Sequence, residues 1–215
     1  MNKSRRGFSL IELVIAVAIM GVLLALGAPG FSTYLRNVKL RSAAEAFMSG
    51  VQLARSEAVR MNTTVEFLLT ADDPLSANVA TANASATGVN WMVRTADRAT
   101  FVDGKFGIEG SGRAAAADIS VKINDTAPPA DTDPDPPPAV PVSSILFNGL
   151  GRTSLAAPAV FKFNDSASGR CITDQGPPAG IVRCLRVVVA VGGQTRLCDP
   201  SISAAATAAG DTRGC

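Results

Sequence analysis

One carboxylate stands where its neighbours cannot solvate it. Between Phe8 and Phe31 lie 24 residues with a single charged side chain, Glu12. A carboxylate inside an apolar run is costly and marks a functional position. The cost falls if a cation meets it. A cut after Gly7 would make Phe8 an amino terminus, four residues from Glu12 and at the positive end of a helix. Glu12 could close on that amine within one subunit. It could also meet a neighbour's amine and set the axial register of a packed bundle. The bland alternative is an interfacial glutamate that reaches back to the headgroups.

The other candidate chemistry lies at the far end. Cys171, Cys184, Cys198 and Cys215 are the only cysteines, and all fall in the last 45 residues. An even number in that segment points to disulfides and an oxidising compartment. Three pairings are possible; Cys171–Cys184 with Cys198–Cys215 closes short loops and tethers the tail. No C-x-x-C spacing exists, which argues against zinc. Arg183, Arg186, Arg196 and Arg213 are interleaved with these cysteines. They could contact phosphates by charge, with little sequence readout, or merely keep a strand edge soluble. On a strand, Arg183 and Arg186 would face opposite sides, and Arg196 could sit across a turn from one of them. The chain has no histidine. No serine has a base partner, and the Asp72-Asp73 pair stands in a loop without context. SILFNGLGR lacks the lysine and helix of a phosphate loop. These absences exclude an enzyme and leave no cofactor or metal site to expect.

The elements that must carry these residues follow from pattern. At about 1.5 Å per residue, the Phe8–Phe31 run reaches about 36 Å as a helix, enough for a hydrocarbon core of about 30 Å. Arg5 and Arg6 precede it and favour a cytoplasmic N-terminus. Pro29 and Gly27 should bend the helix. Beyond them, Phe31, Leu35, Val38, Ala43, Phe47, Val51, Ala54, Ala58 and Met61 recur at threes and fours, an amphipathic stripe to about Asn62. Arg55 and Glu57 read as a solvated face.

GFSLIEL followed by an apolar helix resembles the class III signal of type IV pilins and type II secretion pseudopilins. The resemblance implies cleavage between Gly7 and Phe8 by a prepilin peptidase and methylation of Phe8. It also implies retention of the apolar segment as anchor and filament core. Glu12 falls on the family's glutamate and Pro29 on its helix-kinking proline. SAAEAFMSGVQLARSEAVRMN, and the CDP…GD-x-R-x-C tail, are similar to the FimT/FimU/GspH group of pilin-like minor pilins. FimT-like proteins of transformable bacteria carry a DNA-binding G-R-x-R motif. Here the string is Gly193-Gln194-Thr195-Arg196, so only Arg196 inherits that expectation.

The remaining chain reads as short strands at 63–70, 90–94, 101–108, 119–123, 142–147, 159–163, 181–190 and 194–198. A hairpin is expected across Gly192-Gly193. Residues 125–141 hold seven prolines and four aspartates and should form an extended excursion, a tolerated insertion rather than a docking motif. Asn83-Ala84-Ser85 fits a glycosylation pattern by chance. Charge is uneven: residues 63–142 hold five basic and eleven acidic side chains, residues 143–215 seven and four.

The expected fold class is α+β, a long N-terminal helix, transmembrane then amphipathic, packed on a C-terminal antiparallel β-sheet or β-sandwich domain. The expected segments are leader 1–7, membrane and filament-core helix 8–31, amphipathic continuation 32–62 and β-rich domain 63–215. The expected role is a minor pilin of a type IV pilus. It would join or prime the filament and support twitching motility and DNA uptake. The alternatives are a minor pseudopilin of type II secretion and a DNA-binding pilin receptor for natural transformation. Expected partners are other major and minor pilins, the prepilin peptidase, the inner membrane and DNA. The chain would cross the inner membrane once, with a periplasmic domain, then reach the pilus or cell surface.

Overall fold

The computed structural model describes residues 9–86, 88–107, 121–123, 142–165, 171–172, 182–202 and 204–215, with the side chains at 27–29, 121–123, 165 and 204 excepted. Gly7, Phe8 and the proline-rich segment 125–141 therefore lie outside the described residues.

Helix α1 runs Leu10–Met61. Ser9 caps its start: its Oγ accepts from the Glu12 main-chain N–H at 3.3 Å, satisfying one orphan donor of the first turn. The end is a Schellman motif. Asn62 adopts φ 48°, and the Asn62 and Thr63 N–H groups return to Val59 and Ala58 carbonyls. Asparagine tolerates this left-handed position better than most residues.

The chain divides into two compact units, Met1–Leu35 and Arg36–Cys215. In the first unit the described part of α1 is exposed on every side, with each large apolar residue from Leu10 to Leu26 more than half accessible. Among the described residues no single helix is long and apolar enough to cross a membrane; the segments Leu10–Leu26 and Gly30–Met61 meet that test only together, by length and composition. Pro29 falls at the break between them.

The described residues of the second unit form eight strands in two antiparallel sheets. The first sheet joins β1 (Val65–Thr70), β2 (Asn90–Thr95), β3 (Phe101–Lys105) and β5 (Ser144–Phe147) in the order β3-β2-β1-β5. The second joins β4 (Val121–Ile123), β6 (Ala159–Asp165), β7 (Leu185–Val189) and β8 (Thr195–Cys198) in the order β4-β6-β7-β8. A short 3-10 helix, Ser76–Asn78, lies between β1 and β2, and a short helix α2, Ala204–Ala208, follows β8.

One core joins α1 to both sheets. Leu40, Ala44, Phe47, Val51, Ala54 and Ala58 are fully buried along one face of α1. Their spacings alternate between four and three, the helical period. Phe47 sits at the centre, its ring 4.9 Å from Phe67 on β1 and 4.8 and 5.3 Å from Phe161 and Phe163 on β6. Burying such a ring stabilises by about 1.5–3 kcal/mol. Trp91 stacks on Phe67 and packs against the helix backbone at Gly50. A Cβ at position 50 would stand 2.7 Å from the indole, so glycine is what permits the approach.

The expected stripe is corrected at its start. Phe31, Leu35 and Val38 are exposed, and Leu40 and Ala44 carry the buried face instead. The expected solvated face at Arg55 is also corrected. Its Nε donates to the Gly151 carbonyl at 3.1 Å, because the 148–152 turn folds back onto the last turns of α1.

Candidate functional site

Two regions hold the residues singled out from the sequence. At the N-terminus, Glu12 lies in the first turn of α1 and is exposed. Arg41 pairs with Glu45 and Arg60 with Glu57 further along α1. The Arg60 guanidinium holds the Glu57 carboxyl below its usual range. Glu12 is the only acidic residue of the first turn. Around it the 10–26 segment offers only apolar side chains, and none of them could neutralise that carboxylate.

The second region is built by β7, β8 and the tail. The turn between those strands is a three-residue hairpin loop. Gly193 N–H returns to the Ala190 carbonyl and Ala190 N–H to the Gln194 carbonyl. Gly193 alone of the glycine pair takes a positive φ, 83°. A type I turn followed by a left-handed residue is the usual geometry for this length. The loop 191–193 is the one left between the expected strands 181–190 and 194–198, and Arg196 pairs across with Val188, not with an arginine.

Cys171 bonds Cys184 and Cys198 bonds Cys215, with Cα separations of 5.3 and 5.2 Å. The second disulfide folds the tail back on β8, where Asp199 N–H bonds the Arg213 carbonyl and Asp199 bridges to Gly214.

This tethering draws three of the four arginines together. Arg183 precedes β7 rather than lying on it, and its Nη1 stands 3.4 Å from Asp199 Oδ2. Arg196 Nη2 donates to the Cys215 main-chain oxygen at 3.0 Å. Arg213 grips Asp211 with two bonds, Nε to Oδ1 at 3.0 Å and Nη2 to Oδ2 at 2.8 Å. The Arg213 side chain and main-chain N–H both favour the ionised acid and hold Asp211 down at about 2. Arg186 does not join them. It is only 5 % exposed, on the outward face of β7, and cannot touch a macromolecule; its expected place in a contact surface is corrected.

Sequence reasoning missed one charged centre. Arg94 on β2 is fully buried. Its Nε pairs with Glu66 on β1 at 2.8 Å, and its Nη1 donates to the Val79 and Ala82 carbonyls at 2.7 and 3.1 Å. It fastens the 71–86 segment over the sheet face that α1 does not cover, beside Leu68, Met92 and Ala82. The direct cross-strand pairing of Glu66 with Arg94 was the available signal. Among the described residues no group of histidine, cysteine, aspartate or glutamate could hold a metal.

An apolar N-terminal helix with one acid in its first turn, continued into an α+β domain, defines a pilin-like subunit. The prokaryotic N-terminal methylation motif matches residues 2–28, which together with that helix fits membrane anchoring. The family described as type II transport protein GspH matches residues 43–177, and the chain belongs to that family. Membership implies association with other pilins. No curated protein matches the chain in sequence. Two crystal forms of the type IV minor pilin FimU of Pseudomonas aeruginosa (strain PAO1) are similar to it. One shows 17% identity and a TM-score of 0.45 over 74% of this chain and 87% of that one. The other shows 15% identity and a TM-score of 0.43 over 73% and 90%.

Proposed function

We propose that the chain is a minor pilin of a type IV pilus that joins or primes the filament tip and supports assembly and twitching motility. One observation carries this reading: from Leu10 to Leu26 the helix leaves every large apolar side chain uncovered by its own chain. Such a surface requires lipid before assembly and other helices after it. Glu12, the acid in its first turn, would meet the amine freed at Phe8 by a prepilin peptidase. The domain would face the periplasm and later the cell surface.

Mass spectrometry of the chain from sheared filaments tests this. The expected species begins at N-methylated Phe8, and an intact Met1 in that fraction overturns the reading. Glu12→Ala should leave cleavage intact and lower the amount recovered in filaments at least tenfold. Recovery equal to wild type removes the pairing role.

A second reading, a minor pseudopilin of type II secretion, is favoured by the matched family's description. It expects a deletion strain to retain its surface pili and lose protein export. A DNA-receptor role is favoured by the convergence of Arg183, Arg196 and Arg213 on one tethered tail.

A further inference from the structure

The three tail arginines do not present bare charge. Asp211 accepts from Arg213 through both carboxylate oxygens, and its Oδ1 also accepts the Arg213 main-chain N–H at 3.0 Å. The turn therefore holds the acid in place whether or not the guanidinium stays. Asp199 is similarly fixed. It is 7 % exposed, its Oδ1 accepts the Ser201 N–H at 2.9 Å, and its Oδ2 faces Arg183 at 3.4 Å. Both acids sit on local backbone, while Arg183 and Arg213 are exposed and free to swing.

We propose that Asp199 and Asp211 are built-in counter-ions that compete with phosphate for Arg183 and Arg213, so that the tail binds a DNA backbone only weakly until those pairs open. This rests on the DNA-receptor reading and states how that surface is regulated. A polyanion must displace a carboxylate at each of the two arginines, and each carboxylate also repels it. An exposed pair is worth at most about fivefold in an equilibrium constant. The masking is therefore a graded brake. High salt screens carboxylate and phosphate alike, so the brake is released by removing the acid, not by adding ions.

The test is a double-mutant cycle on the full chain in detergent micelles, titrated into a fluorescein-labelled 30-base-pair duplex at low salt. Asn keeps the Oδ1 acceptor for the Arg213 N–H, so Asp211→Asn removes charge without dismantling the turn. Asp211→Asn should tighten binding by about three- to fivefold and steepen the salt slope by about 0.9, one added phosphate contact. Arg213→Ala should change wild-type binding by less than twofold. In the Asp211→Asn background the same change should erase the gain. Equal loss on Arg213→Ala in both backgrounds overturns the masking while leaving DNA binding in place. Wild-type binding that survives the Arg183→Ala, Arg196→Ala, Arg213→Ala triple variant overturns the DNA reading for this surface, and the masking with it. Absence of binding by wild type and Asp211→Asn alike overturns both.

Discussion

The two stretches of α1 differ in what covers them. Between Leu10 and Leu26 every large apolar residue is more than half exposed, whereas six apolar residues from Leu40 to Ala58 are fully buried. Apart from Glu12, the first stretch is apolar all round. The second buries one apolar face and puts Arg41, Glu45 and Gln52 on the others. A helix that is greasy on every side needs surroundings on every side; a striped helix needs one flat partner, which the sheets supply. The two stretches are therefore built for different surroundings.

That contrast can be broken most directly at Phe47. Phe47→Ala removes ring contacts to both sheets and should lower domain stability by about 3–5 kcal/mol, read as a shift in urea midpoint for the Arg36–Cys215 unit. Leu23→Ala should leave the same midpoint unchanged to within about 0.5 kcal/mol. A shared loss would overturn the contrast between the two stretches.

The two glycines sharpen the comparison at lower cost. A Cβ at Gly50 would collide with Trp91, while one at Gly21 meets nothing within 4 Å. Gly50→Ala should destabilise by about 1–3 kcal/mol, visible also as a change in tryptophan fluorescence. Gly21→Ala should raise helicity by circular dichroism, since alanine is favoured over glycine by about 1 kcal/mol in a helix interior.

The smallest effect lies away from the helix, at the Asp211–Arg213 pair. Its folded value of about 2 lies below the ordinary 3.8. A depressed acid contributes stability that is present above the ordinary value and is lost as pH falls toward the folded one. Carboxyl chemical shifts should therefore place the Asp211 midpoint near 2 in wild type. Arg213→Ala should move it up toward 3.8. An unmoved midpoint would dissolve the pair as a feature of the solution state.

Much of this was legible in the residues themselves. Asn62 marked the end of α1, the alternation of TTVEFLLT gave β1, and NWMVR gave most of β2. What escaped was set by contacts distant in sequence. Alternation puts Arg94 on the face of β2 away from α1, which reads as solvent until the 71–86 segment is laid over it. The same holds for Arg186, which strand parity turns outward yet the fold buries. The stripe slipped in phase because Leu35 and Val38 are as apolar as Leu40 but lie before the sheets begin. Helix α2 was only partly readable, since five residues do not sustain a helix alone. Its AAATA run has the strongest intrinsic helix preference and was overlooked among the tail's loops.

The indole lodged against Gly50 also has a mechanical meaning. Because α1 lies on both sheets, a pull along the helix axis loads its buried face from Leu40 to Ala58 as well as the backbone at Asn62. With Trp91 seated where no side chain can stand, sliding α1 by even one residue drives the ring into Val51 or Ser49. The ring thus acts as a detent, passing axial tension sideways into β2 before the peptide chain has to bear it.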